Sequence, residues 1–239
     1  MQKIEGRMRR AIEDYDMIEE GDKIAIALSG GKDSATLLYE LKNLSRYYPK
    51  KFEVCAISVN PGFENFSTEI LKKMCDGAGV ELTIVDTNIK QIVFDERKEE
   101  NPCSLCANLR RGTLNTTAKK LRCNKIALGH NEDDMLETFI MNLIYAGRLG
   151  TFSPVSYMDK SGMTLIRPLI YVSEKATKSF VKKNGIEVMP KVCTMDGTSQ
   201  REYALNLLKQ LEMNNKQTRA NMVGAIKRVH LDGWKETEK

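Results

Sequence analysis

Residues 24–34, Ile-Ala-Ile-Ala-Leu-Ser-Gly-Gly-Lys-Asp-Ser, run from an unbroken apolar stretch through a glycine-rich polar turn into a helical pattern. This junction constrains the whole chain. A short apolar run without alternation is buried on both faces, as the strands of a parallel sheet are. Parallel neighbours need crossover connections, so helices must alternate with strands and cover both sides of the sheet. The pattern fits: strands are expected over 23–28, 52–59, 81–87, 125–128 and 164–169. Helical spacing falls over 35–44, 67–78 and 105–121 and again from Met135 to Leu143. The expected fold class is therefore α/β, a doubly wound parallel five-stranded sheet.

The organisation follows from this pattern. Residues 1–20 carry a helix with Ile4, Met8, Ala11, Ile12 and Tyr15 on one face and Arg7, Arg9 and Arg10 on others, either a solvated face or a contact for RNA phosphates. Residues 21–170 are expected to form the domain built on this sheet, and 171–239 a C-terminal helical extension with helices over 173–183 and 199–213. The charged stretch 95–100 has no pattern and reads as a mobile loop or an active-site flap. With 37 Lys and Arg against 32 Asp and Glu the net charge is +5, compatible with a nucleic-acid partner but not diagnostic of one. No apolar run approaches the roughly 20 residues of a membrane span, and the N-terminus lacks a signal-peptide core, so a cytoplasmic protein with no membrane partner is expected.

Backbone N–H groups at glycines and at a helix N-terminus form an anion site, because the first-turn donors lack helical partners and the helix dipole adds positive charge. The turn at 29–34 is thus a phosphate cradle. It is not a P-loop, which would need glycine at Ile26 and Ser or Thr at Asp33, nor does it carry the dinucleotide G-x-G-x-x-G pattern. A second polar turn, Gly129-His130-Asn131-Glu132-Asp133-Asp134, follows the strand at 125–128 and opens another helix on the same sheet edge.

Cysteines supply the other signal. Six in a cytosolic chain are not expected to form structural disulfides. Cys55, Cys75 and Cys123 stand singly in or beside regular elements, where a small buried apolar side chain is the expected role. Cys103 and Cys106 open a helix three residues apart, so both thiols can face one metal. Cys193 lies in an irregular polar stretch with no apolar pattern to explain it and is the candidate third ligand. Three cysteines suit an iron–sulfur cubane with one iron lacking a protein ligand; a redox disulfide is the rival reading.

Ser-Gly-Gly-Lys-Asp-Ser after a buried strand resembles the motif of the N-type ATP pyrophosphatases, the PP-loop superfamily with its adenine nucleotide alpha hydrolase-like fold. That likeness implies that the loop grips the pyrophosphate part of ATP while a substrate oxygen attacks the α-phosphorus. Together with Pro102-Cys103-Ser104-Leu105-Cys106, Leu109-Arg110-Arg111-Gly112, Leu128-Gly129-His130 with Asp133-Asp134, and Ile166-Arg167-Pro168-Leu169, the chain is similar to the tRNA 2-thiocytidine synthetase family over roughly residues 1–205. The resemblance implies a homodimeric tRNA sulfurtransferase that adenylates the C2 oxygen of an anticodon-loop cytidine, position 32 of the tRNA, and replaces it with sulfur to give 2-thiocytidine. ATP, Mg²⁺ and a three-cysteine [4Fe-4S] cluster are the implied cofactors, and tRNA and a sulfur donor, a cysteine desulfurase or sulfide, the partners. On the residues, it implies an ATP site of Ala27, Leu28, Ser29, Gly30, Gly31, Lys32, Asp33, Ser34, Val59, Gly129 and His130. The catalytic groups would be Lys32, Asp33, Arg110, Asp133 and Asp134, and the cluster ligands Cys103, Cys106 and Cys193.

Two departures stand out. Asn131 occupies a position where a second histidine often follows His130 in that family, and the region around Cys193 matches poorly; either can accompany a changed substrate. The related 2-thiouridine synthetases carry additional zinc-binding cysteines at both ends, and lysidine synthetases lack the paired cysteines. Alternative readings are thiolation of a uridine or another acceptor, or a non-catalytic nucleotide-binding or iron–sulfur protein.

Overall fold

A computed structural model describes residues 2–97, 102–190 and 199–236. Its frame is a six-stranded sheet in the order β3-β2-β1-β4-β6-β5, with β1 Asp22–Ala27, β2 Phe52–Asn60, β3 Leu82–Asp86, β4 Lys125–Ala127, β5 Val155–Met158 and β6 Met163–Ile166. The five strands expected from sequence are all present and mutually parallel. The sixth corrects the expectation: β5 is an antiparallel edge strand hydrogen-bonded to β6. It carried no apolar signal because it is four residues long and only half-buried, with Tyr157 65% exposed. β6 ends at Ile166, just before Arg167-Pro168, where proline would remove a ladder donor.

Burial of both sheet faces explains the apolar runs. Along β1 and β2, Ile24, Ile26 and Ala56 enter one core while Ala25, Cys55 and Ile57 enter the other. The first core is covered by α1 Gln2–Asp14, α2 Lys32–Leu44, α3 Thr68–Ala78, α5 Glu132–Tyr145 and α6 Glu174–Lys183; the second is closed by α4 Pro102–Lys120. Cys55, Cys75 and Cys123 are buried among these apolar side chains, as their sequence setting implied. On α1 the face Ile4, Met8, Ala11 and Ile12 lies in the first core, while Arg9 and Arg10 are exposed and ion-paired to Glu13 and Asp14 of the same helix.

Two segments differ from expectation. Asp95 and Glu96 belong to a π-helical turn, Gln91–Glu96, that buries Val93 and packs Phe94 edge-on against Phe63; the remaining charged residues 98–100 lie outside the described residues. After α7 Ser199–Asn214 and α8 Thr218–Arg228, the chain returns to the core through Trp234, which is buried against Tyr15 and donates its indole N–H to the Phe152 carbonyl at 3.0 Å. Among the described residues, no helix is long and apolar enough to cross a membrane.

The crossovers leave β1 toward β2 on one side, and β4 sits on the other. This reversal of strand order opens a crevice beyond the carboxyl ends of β1 and β4, where ligands of open α/β sheets bind. Both polar turns end there.

Candidate functional site

β1 delivers the chain into the turn at 28–31, and α2 starts at Lys32. Gly30 has φ +80°, a left-handed conformation that a side chain would strain, and its carbonyl accepts a hydrogen bond from the Met189 N–H at 2.8 Å. Gly31 is the N-cap of α2. The hydroxyls of Ser29 and Ser34 lie 3.0 Å apart, Ser34 Oγ accepts from the Ser29 N–H at 3.2 Å, and Ser29 Oγ accepts from the Gly31 N–H at 3.4 Å. The loop is therefore braced by its own serines, and its glycines stand at a helix start, the place where backbone amides bind anions.

The second turn is built against the first. A Cβ on Gly129 would stand 3.0 Å from the Ser34 nitrogen and 3.1 Å from the Asp33 carbonyl carbon, so the two loops meet backbone to backbone. Asn131 caps α5: its Oδ1 accepts from the Asp134 N–H at 3.1 Å and its own N–H donates to Asp134 Oδ2 at 2.9 Å, a capping box. Its side-chain amide then reaches back and donates to Asp33 Oδ1 at 3.2 Å. The departure at position 131 thus ties the two turns together.

One pocket joins these turns to α4. Its apolar base is Ala27, Ile57, Val59, Leu114, Leu128 and Leu165; Ser29, Asp33, Ser34, Gly129, His130 and Asp134 form one polar side, and Ala107, Arg110 and Arg111 of α4 the other. An apolar base with a glycine turn on one side and two arginines on the other suits a purine with attached phosphates. Lys32 lies beside it, with Nζ 2.8 Å from Asp33 Oδ2 and 3.0 Å from Glu174 Oε1. Burial alone would lower the Lys32 pKa, but the contacts with Asp33 and Glu174 outweigh it and leave the pKa raised.

Of the residues expected to act, Asp133 is set apart. Its Oδ2 accepts the Glu174 N–H at 2.6 Å and its Oδ1 is ion-paired with Arg219 of α8 at 3.0 Å, so both oxygens point into packed helices and Asp133 is absent from the pocket wall. Asp134 does line the pocket, and burial raises its pKa despite the Asn131 N–H that its carboxylate accepts. Beneath it, burial and the Asp134 charge push the Glu137 carboxyl up to about 7, and Arg201 of α7 approaches both carboxylates at 3.8 Å.

His130 stacks on Phe152, ring centroids 4.9 Å apart, and its Nδ1 accepts from Arg167 Nε at 3.3 Å. Burial, with help from Arg167 and Arg201, pushes its pKa down to about 4. A neutral ring that accepts at Nδ1 carries its proton on Nε2, a neutral donor in the pocket. Since the folded pKa lies below the unfolded value, the stabilisation this histidine gives is complete above about pH 6.5 and is lost as pH falls toward 4. Urea unfolding of His130→Gln and the unsubstituted protein, compared across that window, is expected to show a stability difference that shifts in the variant's favour with acid; a constant difference would contradict the neutral assignment.

Cys103 is exposed and Cys106 half-buried in the first turns of α4, directly before Ala107 and Arg110 of the pocket wall. Their spacing puts both on one face, where the helix N-terminus favours thiolates. Cys193 lies outside the described residues, and these contain no group of three His, Cys, Asp or Glu able to hold a metal ion. Residues that the sequence did not single out for roles are Glu174, Thr177, Arg167 and Arg201. Arg167 fell within a motif, but its partners Ser153, Ser156 and His130 are 11 or more positions away, and nothing local marked Glu174 or Thr177.

A strand, a self-braced glycine turn and a second turn closing on it across a strand-order reversal define a nucleotide-binding PP-loop protein, and residues 1–208 match the family described as the PP-loop domain. The chain is 36% identical over 231 residues to the tRNA-cytidine(32) 2-sulfurtransferase of Citrifermentans bemidjiense, covering 95% of this chain and 91% of that protein. It is 38% identical over 230 residues to the enzyme of the same name from Syntrophotalea carbinolica, covering 95% and 89%. Among solved structures it is similar to the U34-tRNA thiolase NcsA from Methanococcus maripaludis with its [4Fe-4S] cluster, at 26% identity and TM-score 0.77 over 95% of this chain and 78% of that one. The chain belongs to the PP-loop family and, within it, to the tRNA-cytidine(32) 2-sulfurtransferases.

Proposed function

We propose that the protein is an ATP-dependent tRNA sulfurtransferase that converts an anticodon-loop cytidine, position 32, to 2-thiocytidine. The observation that carries this reading is that α4 bears both chemistries: Arg110 and Arg111 face the PP-loop across the pocket, and Cys103 and Cys106 precede them on the same helix. A base activated at the loop lies next to the thiols.

In the first step the C2 oxygen of the cytidine attacks the α-phosphorus of ATP and pyrophosphate leaves. Ser29, Ser34 and the Gly30 and Gly31 amides donate to the departing phosphates, and Lys32 and Arg110 balance the charge that develops on them. Asp33 and Asp134, the two carboxylates that line the pocket, would hold Mg²⁺. His130 donates as a neutral ring, which costs no proton exchange at neutral pH. The cysteine pair fits an iron–sulfur group, its thiols sharing one helix face at a dipole-positive end, and Cys103, Cys106 and Cys193 would hold a [4Fe-4S] cluster. When bound, that group supplies sulfur at C2, and AMP leaves carrying the original base oxygen. The base must be unstacked to enter the pocket, as an anticodon-loop nucleotide can be. A cysteine desulfurase or free sulfide as sulfur donor, a homodimer and a cytoplasmic location complete the proposal.

A second reading, thiolation of a uridine, is favoured by the structural likeness to the U34 thiolase. Nucleoside mass spectrometry of tRNA from a strain lacking this protein separates the two. Loss of 2-thiocytidine with 2-thiouridine retained is expected; intact 2-thiocytidine would overturn the cytidine assignment.

A further inference from the structure

Lys32 and Asp33 are not set by their own loop. The Asp33 carboxylate is held from three sides: Thr177 donates to Oδ1 at 2.6 Å, Asn131 donates to the same oxygen at 3.2 Å, and the Lys32 ammonium lies 2.8 Å from Oδ2. The Lys32 ammonium is shared with Glu174 at 3.0 Å. Thr177 and Glu174 both stand in the first turn of α6, more than 140 residues further along the chain. The Thr177 hydroxyl is fully buried, so its hydrogen bond is not exchanged with water. The start of α6 is itself fixed, because Asp133 accepts the Glu174 N–H at 2.6 Å and is anchored on its other oxygen by Arg219.

These contacts form one relay, from Arg219 and Asp133 through the first turn of α6 to the two charged side chains of the loop. We propose that the first turn of α6 is the positioning element of the ATP-cleaving loop, with Glu174 and Thr177 aiming Lys32 and Asp33, and Asp133 acting through α6 instead of on the reacting atoms. The assignment rests on the ATP-cleaving function proposed above. Preorganised charge stabilises a transition state only if it needs no rearrangement as the reaction proceeds, and a lysine on a flexible stem needs an external partner to meet that condition. Glu174 is that partner for Lys32, and Thr177 orients the carboxylate that completes the pair. A direct role for Asp133 in metal binding or proton transfer would need its carboxylate at the pocket, and unlike Asp33 and Asp134 it is absent from the pocket wall, turned instead to Glu174 and Arg219.

The test is steady-state release of pyrophosphate from ATP with tRNA, measured on the full chain for the unsubstituted protein, Thr177→Val, Thr177→Ser, Asp133→Ala and Asp133→Asn, with thermal unfolding of each. Thr177→Val and Asp133→Ala are expected to lower kcat roughly tenfold, the scale of one charge-assisted hydrogen bond, with the KM for ATP changed less than about threefold. Serine keeps the hydroxyl at 177 and asparagine keeps an acceptor for the Glu174 N–H, so each should recover most of the loss. Tenfold losses in Thr177→Ser and Asp133→Asn equal to those of the larger changes, or kcat losses that only track a lower melting temperature, would overturn the proposal. So would Thr177→Val turning over like the unsubstituted protein. If the unsubstituted protein releases no pyrophosphate with any tRNA, it is the ATP-cleaving function that fails.

Discussion

Asp33→Ala is expected to lower tRNA-dependent pyrophosphate release by roughly 10²- to 10³-fold, the loss typical when one preorganised electrostatic group is removed from an active site. The size follows from how many groups this carboxylate organises. Thr177 and Asn131 lose their shared acceptor, and Lys32 keeps only Glu174 to set its ammonium. The ammonium then leans toward α6, away from where phosphate charge develops. The fold should survive, because Asp33 is only half-buried at the mouth of the crevice and the Ser29 and Ser34 hydroxyls still brace the turn. Far-ultraviolet circular dichroism is therefore expected to stay unchanged while a coupled pyrophosphate assay shows the loss. Release within tenfold of the unsubstituted protein would remove Asp33 from the chemistry.

Legibility in the sequence followed the range over which each signal acts. β1 and β2 could be read because both faces are buried and both therefore carry apolar side chains. The loop could be read because its glycines answer a local demand: Gly30 sits at φ +80°, and Gly31 caps α2. β5 could not, since an edge strand that buries half its surface has no period to show. Trp234 likewise lies in a charged tail, and its burial against Tyr15 depends on a fold already assembled.

The site divided along the same line. Residues on the two turns can be proposed from their position, whereas Glu174 and Thr177 belong to a helix whose own sequence reads as an ordinary amphipathic surface element. Asp133 shows the opposite case. It shares an acidic turn with Asp134, but consecutive residues at a helix start point in different directions, so one lines the pocket and the other grips α6. Spacing marks the turn without resolving which carboxylate faces the pocket.

Cys103→Ser should separate the two halves of the proposed reaction. Cys103 is exposed at the start of α4, so its replacement creates no cavity and the melting temperature of the cluster-free protein should be unchanged. A hydroxyl is a poor iron ligand beside thiolates, so after anaerobic purification the iron and sulfide content is expected to fall to background and 2-thiocytidine in tRNA to vanish. Pyrophosphate release should persist within about threefold, because the groups proposed to meet ATP lie on the loop and on Arg110, one to two turns along the helix. Cys106→Ser should lose iron equally and also some stability, since Cys106 packs with Leu105 and Leu109 against the second core. Zinc in place of iron in the unsubstituted protein would leave α4 with a structural site. Iron retained in Cys103→Ser would show that the cluster rests on other ligands, and unchanged 2-thiocytidine would detach the cysteine pair from the sulfur step altogether.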